Sequence, residues 1–215
     1  MTVALIDDDA AVLDSLRMAL AKQDFEVACF NSADAFLACL DSIPVRCIVS
    51  DVRMPDVSGL DLQRELRKRG SSVPLILITG HGDVDMAVGA IKLGAFDFIE
   101  KPFDHQRLAE SIRNAIADSA RARSRHDKLA ETAARAAELS QRQREVMALV
   151  ADGLSNKEIA LKLGLSPRTV ENYRAWVMEK MGAASLAGLV RMVVQLEGSL
   201  DMTPAKSEHE PEDDC

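Results

Sequence analysis

Acidic residues stand directly after two apolar segments in the first half of the chain, where strands of a sheet would end. Asp7 and Asp8 follow the first segment, and Asp51 follows the third. If these two strands are neighbours in a doubly wound parallel sheet, their carboxyl ends meet at one edge and the three carboxylates converge. Such a cluster repels itself unless a cation neutralises it, and its oxygen ligands suit Mg²⁺, which retains several waters. The sequence therefore predicts a magnesium site.

A hydroxyl and an ammonium group are placed to face the same edge. Thr79 ends the fourth apolar segment, and Lys101 follows the fifth. This pair would stabilise the charge of an incoming phosphoryl group. Taken singly, an acidic triplet is usually a solvated loop or a helix N-terminus, and one Thr or Lys at a strand end is usually incidental. The combination at several predicted strand ends is far more specific.

A second set of polar residues lies on one predicted helix in the last third of the chain. A helix over 156–163, a short turn and a helix starting at Pro167 form a helix-turn-helix outline. In the last helix an apolar stripe would face the core, and the opposite face is polar; the stripe comprises Val170, Tyr173, Val177 and Met181.

The polar face offers side chains that suit DNA. Asn172 can read adenine and Glu171 can accept from cytosine, whereas Lys and Arg contact phosphates. By spacing alone, a helical packing domain with a polar surface is an equal alternative. The predicted DNA contacts are Lys157, Arg168, Thr169, Glu171, Asn172 and Arg174.

The elements that must position these residues follow from hydrophobic periodicity. Short apolar runs predict five strands, at residues 3–6, 27–30, 47–50, 74–78 and 96–99, with helical patterns between them. We therefore expect an α/β doubly wound, flavodoxin-like domain with strand order 2-1-3-4-5. An all-α domain with four helices follows it, with capping signals at Ser140, Ser155, Ser166 and Ser185.

Charge divides the chain into the same parts. The net charge is -8, yet residues 139–196 carry eight Lys and Arg against five Asp and Glu, so this segment is the natural partner for a phosphate backbone. We predict domains at 1–120 and 139–196, a helical linker at 121–138 and an acidic, disordered tail at 197–215. The N-terminus has no signal-peptide pattern and no stretch is long enough to span a membrane, so we expect a cytoplasmic protein with reduced thiols.

Four motifs give the first domain a family resemblance. DDD at 7–9, SDVRMP at 50–55, ITGHG at 78–82 and EKPF at 100–103 resemble the motif set of bacterial two-component receiver domains over about residues 1–120. The resemblance implies that Asp51 accepts a phosphoryl group from a histidine kinase. It also implies a cis peptide bond before Pro102.

The same resemblance assigns roles to the other motif residues. Asp8, Asp51 and the backbone carbonyl of Arg53 would hold Mg²⁺, with Asp7 assisting through water. Thr79 and Lys101 would contact the phosphoryl oxygens, and Phe98 would be the aromatic residue that changes rotamer with Thr79.

Three further motifs resemble the LuxR-type DNA-binding domain over about residues 135–196: LSQRQREV at 139–146, GLSNKEIA at 153–160 and LSPRTVE at 165–171. A receiver followed by this domain is typical of the NarL/FixJ class of response regulators, and TGHGDV at 79–84 is most similar to the FixJ subgroup. Trp176 departs from that subgroup, where a smaller polar residue is expected.

The resemblance implies a transcription factor switched by phosphorylation, with no enzyme activity beyond Mg²⁺-dependent self-phosphorylation and self-dephosphorylation. Its expected partners are a sensor histidine kinase, promoter DNA, RNA polymerase and a second copy of the chain, without a membrane. On the fourth helix of the receiver, Val84, Val88 and Lys92 form an outer stripe that suggests a dimer face, beside a core stripe of Ala87, Ala90 and Ile91.

Two functions from other classes compete with this interpretation. A Mg²⁺-dependent phosphatase of the haloacid dehalogenase type would use Asp7 as nucleophile and Asp9 as acid and base. That hypothesis leaves the Asp51 segment and the second domain unexplained. A module that binds phosphoryl groups or partners without regulating genes conflicts with the intact DNA-binding pattern.

Overall fold

The computed structural model describes residues 1–80 and 84–200, and only the backbone of residues 199 and 200. It divides the chain into two compact units, Met1–Arg123 and Ser124–Cys215. The predicted tail from residue 201 onward and the motif residues 81 and 82 lie outside the described residues.

A parallel sheet forms the centre of the first unit. Its strands are β1 (Thr2–Ile6), β2 (Glu26–Phe30), β3 (Val45–Asp51), β4 (Leu75–Thr79) and β5 (Asp97–Glu100). They pair in the order β2-β1-β3-β4-β5, so the predicted fold class and strand order are confirmed. Each strand lies within one or two residues of its predicted position, because short runs of apolar and β-branched residues mark strands. The central strands β1, β3 and β4 are almost fully buried, whereas the edge strands β2 and β5 are only partly buried.

Helices cover both faces of this sheet: α1 (Ala10–Ala21), α2 (Ala33–Cys39), α3 (Gly59–Lys68), α4 (Val84–Lys92) and α5 (His105–Ala137), with a short 3₁₀ helix at Leu40–Ser42. One core cluster packs α1 and α5 against the sheet through Leu16, Leu20 and Ile112. The other packs α2, α3 and α4 through Phe36, Leu62 and Ala90. The sheet is therefore a rigid platform whose strand ends carry the polar residues.

Helix α4 differs from the prediction on one point. Ala90 is buried, but Ile91 is 47% exposed, so the predicted core stripe of Ala87, Ala90 and Ile91 is wrong. Met86 takes the core position instead, because residues four apart lie on one face of a helix and Met86 pairs in this way with Ala90. Ile91 thus joins the outward side of α4.

The described part of the second unit consists of the end of α5 and four further helices: α6 (Gln141–Ala151), α7 (Asn156–Leu163), α8 (Pro167–Met181) and α9 (Leu186–Leu200). Ser140 and Ser155 form capping boxes with Gln143 and Glu158, as predicted. These reciprocal bonds satisfy the amides that a helix start leaves unpaired. A single apolar core joins the helices through residues such as Val146, Ile159, Val170 and Met181.

Two helices extend past the predicted domain boundaries. The segment predicted as a helical linker at 121–138 is helical to residue 137, where it continues α5 as the second half of a 33-residue helix. Helix α9 extends to Leu200, four residues beyond the predicted end of the domain at 196, where disorder was expected. Burial of Leu189 and Val193 anchors α9, and helix propagation carries its backbone past that contact.

No helix in the described part of the chain is long and apolar enough to cross a membrane. Cys29, Cys39 and Cys47 are free thiols. Cys47 lies fully buried in β3, where burial raises its pKa to about 12 and keeps it uncharged.

Candidate phosphoacceptor site and nucleic-acid interface

The lysine that follows β5 joins two carboxylates at the edge of the sheet. Lys101 Nζ lies 2.7 Å from Asp51 Oδ1 and 3.0 Å from Asp7 Oδ2. The two aspartate side chains are 8% and 4% exposed, whereas that of Lys101 is 27% exposed. Because β1 and β3 are hydrogen-bonded neighbours, Asp7 and Asp51 are brought to one place by the sheet itself. The structure therefore assembles the three residues from widely separated parts of the sequence.

The second oxygen of each carboxylate is held by a backbone amide. The Arg53 amide donates to Asp51 Oδ2 at 2.6 Å, and the Asp9 amide donates to Asp7 Oδ1 at 2.9 Å. With one oxygen on an amide and the other on Lys101, each carboxylate has a fixed orientation.

Burial and hydrogen bonding shift the pKa values of Asp7 and Lys101 in opposite directions. Burial raises the pKa of Asp7 above its usual range, although the Asp9 amide and Lys101 lower it in part. Burial alone would lower the pKa of Lys101, but hydrogen bonds to Asp51 and Asp7 outweigh that effect and leave the pKa raised. Lys101 therefore stays charged, and its positive charge compensates the two carboxylates.

Thr79 and Phe98 lie on the strands beside this cluster. Thr79 ends β4 and is fully buried, and its carbonyl accepts a hydrogen bond from the Lys101 amide at 2.7 Å. Phe98 lies on β5 and packs, partly buried, against the core cluster that contains Ala90 of α4. The peptide bond between Lys101 and Pro102 is cis. The predicted switch residues therefore lie on β4 and β5, the two strands that end beside Lys101.

One supporting residue was missed by the sequence analysis. Gly59 begins α3, and a Cβ at this position would overlap the carbonyl oxygen of Asp51. Its amide donates to the Val52 carbonyl at 3.0 Å, which closes the loop after β3. Only glycine allows this approach. The one available signal was a glycine directly after the helix-capping Ser58, and it does not reveal the contact.

The carboxylates form a smaller cluster than predicted. Asp8 is exposed, and among residues 1–80 and 84–200 no group of three or more His, Cys, Asp or Glu is arranged to hold a metal. Lys101 Nζ contacts both Asp7 and Asp51, while Asp8 faces solvent, so two of the three carboxylates are joined in this structure. Mg²⁺ needs only one or two carboxylates beside waters, so the donor set of Asp51, Asp7 or Asp8 and the Arg53 carbonyl still fits that ion.

In the second unit, α7 and α8 form the helix-turn-helix. Gly164 ends α7 with a positive φ of 65°, and Ser166 caps α8 while Pro167 occupies its first turn. These are the stop and start signals that the sequence predicts. Arg174 Nη1 on α8 donates to Asn156 Oδ1 on α7 at 2.7 Å, which ties the two helices together.

Some of the predicted DNA contacts are exposed side chains, whereas others form hydrogen bonds within the protein. Lys157, Glu171 and Asn172 are exposed, and the Arg168 side chain is 84% exposed with a loose pairing to Glu171 at 3.3 Å. Thr169 is partly buried, and its hydroxyl lies 2.8 Å from that of Ser166 at the helix start. The exposed residues form a polar surface on α8 and the adjoining start of α7.

Arg174 makes a contact that the sequence analysis did not include. It is partly exposed, and one of its guanidinium nitrogens donates to Asn156, so it links the two helices while its phosphate contact stays a prediction. The sequence gives no signal for this pair, because it depends on how the helices cross. Trp176, the departure noted above, is 49% exposed and packs edge-on against Tyr173 at 5.5 Å between ring centroids.

The outward side of α4 carries several exposed apolar side chains. Val84 is 78% exposed and Val88 is 45% exposed, and Lys92 follows at the end of the helix. Ile91 widens this surface beyond the predicted stripe. Exposed apolar side chains that lie together on one helix are typical of contact surfaces.

Two protein families match these two units. Residues 3–113 match the response regulator receiver domain, and residues 137–193 match the luxR family of bacterial regulatory proteins. The transcriptional regulatory protein FixJ of Azorhizobium caulinodans is 49% identical over 194 residues, which cover 90% of this chain and 92% of that protein.

Solved structures of similar proteins agree with these matches. Full-length FixJ from B. japonicum has 46% identity and a TM-score of 0.59, and the match covers 92% of this chain and 97% of that one. The response regulator StyR has 36% identity and a TM-score of 0.75, with 90% and 98% covered. With its receiver unit and its helix-turn-helix unit, the chain belongs to the response regulators of the NarL/FixJ class, which regulate transcription through a LuxR-type DNA-binding domain.

Proposed function

We propose that Asp51 is the phosphoacceptor and that its phosphorylation by a sensor histidine kinase switches DNA binding. The position of Asp51 on β3 supports this assignment. This strand lies between β1, which leads to Asp7, and β4, which ends in Thr79. A phosphoryl group on Asp51 would therefore lie within reach of the groups on both sides.

The transfer is a substitution at phosphorus. An oxygen of the Asp51 carboxylate attacks the phosphohistidine of the kinase, a P–O bond forms, and the P–N bond breaks. The histidine leaves with the electron pair and takes up a proton. The Arg53 amide and Lys101 hold the attacking carboxylate in place before the reaction. The same site would accept phosphoryl groups from small donors and lose them to water, which is the only catalysis we assign to the chain.

Mg²⁺ is the proposed cofactor. Asp8, Asp51 and the Arg53 carbonyl would hold it with Asp7 assisting, and bound Mg²⁺ would neutralise charge on the phosphoryl oxygens. Lys101 contributes one positive charge to two buried carboxylates. A phosphoryl group adds further negative charge, so a second cation fits the charge balance of the site.

The switch follows from the contacts of Lys101 and Thr79. Phosphorylation gives Lys101 Nζ a new acceptor in place of Asp51 Oδ1, and it gives the Thr79 hydroxyl a strong acceptor. Phe98 packs against the same core as α4, so movement at Thr79 would reach α4 through this ring. The proposed output surface is the α4 face of Val84, Val88 and Lys92, through which two chains would dimerise.

A dimer would present two α8 helices to paired half-sites on promoter DNA, and RNA polymerase would be the next partner. Such a protein would act in the cytoplasm, where its DNA target lies.

The phosphoacceptor is tested by chemical phosphorylation. Acetyl phosphate with Mg²⁺ should add one phosphoryl group to the full-length chain, measured by intact mass. Asp51→Asn should remove the addition, because the amide is a poor nucleophile. Asp61→Asn is the control, since Asp61 lies exposed on α3 and should leave labelling intact. Full labelling of Asp51→Asn would show that another residue is the acceptor.

The dimer face is tested by Val88→Asp. This change places a charge into a desolvated contact at a cost of about a few kcal/mol, so the phosphorylated chain should remain a monomer in light scattering. Met18→Asp on α1, where Met18 is 61% exposed, should dimerise as the unaltered chain does. Normal dimerisation of Val88→Asp would place the contact on another surface.

The DNA interface is tested by two substitutions on α8. Asn172→Ala removes a candidate base contact, so preference at one base pair should fall by about 1–3 kcal/mol. Arg168→Ala removes a phosphate contact, so binding to all duplexes should weaken and the salt slope should fall by about one unit. Trp176, the only tryptophan of the chain, should report binding through its emission.

A different result would mark α8 as a packing helix. In that case duplex would leave the emission of Trp176 unchanged, and Asn172→Ala would lower the free energy of unfolding with no change in base preference.

A further inference from the structure

The end of α5 makes a specific contact with the end of the proposed recognition helix α8. Arg135 Nη1 donates a hydrogen bond to the carbonyl of Met181, the last residue of α8, at 3.0 Å. The last carbonyls of a helix have no partner within the helix and carry its negative end. Arg135 therefore supplies both a donor and a positive charge where α8 needs them.

Gly182 makes room for this guanidinium. It adopts a positive φ of 65° at the C-cap of α8, where glycine is favoured. A Cβ at this position would overlap Arg135 Nη1. The glycine thus serves two purposes, since it turns the chain out of the helix and leaves the space that Arg135 fills.

In a second contact the donor is on α8 and the acceptor follows α5. Lys180 Nζ on α8 donates to the carbonyl of Glu138 at 3.1 Å and lies 3.3 Å from Gln143 Oε1. Leu139, between these two contacts, is 2% exposed and belongs to the same core cluster as Met181. The end of α5 and the end of α8 are therefore held together by one contact region, residues 135–139 with residues 180–182. Two hydrogen bonds from cations to backbone carbonyls flank the buried Leu139 in this region.

We propose that Arg135 is a positioning residue for the recognition helix, so that the working DNA-binding unit begins within α5 before the predicted boundary at 139. The guanidinium fixes the C-terminal end of α8, as the Arg174 contact fixes its middle.

The alternative is that Arg135 forms only a surface ion pair, since its Nη2 lies 2.7 Å from Glu131 Oε1 on the same helix. Exposed pairs of this kind contribute little to stability. The two roles differ in their consequence for DNA binding, because only the contact with Met181 reaches α8.

The test compares Arg135→Ala, Arg135→Lys and Arg125→Ala in the full-length chain. Arg125 is an exposed arginine on the same helix, so its removal matches the loss of charge. The probes are a fluorescent duplex selected from a random pool by the unaltered chain, and a random duplex of equal length. Fluorescence anisotropy at three salt concentrations gives the affinity and the salt slope for each variant.

Arg135→Ala should weaken binding to the selected duplex by about three- to ten-fold. This factor corresponds to the loss of a partly screened hydrogen bond from a charged donor. The salt slope should stay unchanged, because no phosphate contact is lost. Arg135→Lys should recover most of the affinity, since an ammonium can still donate to the Met181 carbonyl.

Three results would overturn the proposal. Unchanged affinity in Arg135→Ala would show that the contact does not position α8. A salt slope reduced by about one unit would make Arg135 a phosphate contact instead. An equal loss in Arg125→Ala would show a general effect of charge.

Discussion

The site depends on one ammonium group placed between two buried carboxylates. Lys101 Nζ contacts both Asp51 and Asp7, and the side chains of these aspartates are almost completely removed from water. Two like charges in such a place are unfavourable without a compensating cation. The strand order supplies the geometry, because it makes β1 and β3 neighbours and brings the end of β5 to the same edge. The proposed phosphoryl group on Asp51 would add negative charge and so disturb this balance.

In the second unit the main constraint is the accurate placement of helix α8. Capping residues define where α7 and α8 begin, and Gly164 and Gly182 define where they end. Two arginines then fix α8 from the side and from its end, through Asn156 and the Met181 carbonyl. Arg168, Glu171 and Asn172 lie on the exposed face of α8. Polar contacts from partly exposed arginines thus hold α8, while its polar face stays exposed.

Much of the fold could be predicted because its signals are local. Buried parallel strands are continuous apolar runs, and Ser155 or Gly164 marks a helix boundary by residue type alone. The grouping of Asp7, Asp51 and Lys101 followed once the strand order was assumed. The pairing of Arg174 with Asn156, the approach of Gly59 to Asp51 and the contact of Arg135 with Met181 depend on how elements cross, which no local pattern encodes. Ile91 was misplaced because α4 offers nearly continuous small and apolar residues, so its core face is poorly marked. The extension of α9 was missed because Gly198 and the polar residues after it suggested an end.

The central claim is that Lys101 couples the state of Asp51 to DNA binding. It is tested most directly by the DNA affinity of the full-length chain before and after acetyl phosphate, in the unaltered protein, in Lys101→Met and in the exposed control Lys68→Met. Intact mass verifies that each sample carries the phosphoryl group. The account predicts that phosphorylation raises the affinity of the unaltered chain and of Lys68→Met, whereas phosphorylated Lys101→Met shows no gain. An equal gain in phosphorylated Lys101→Met would contradict it.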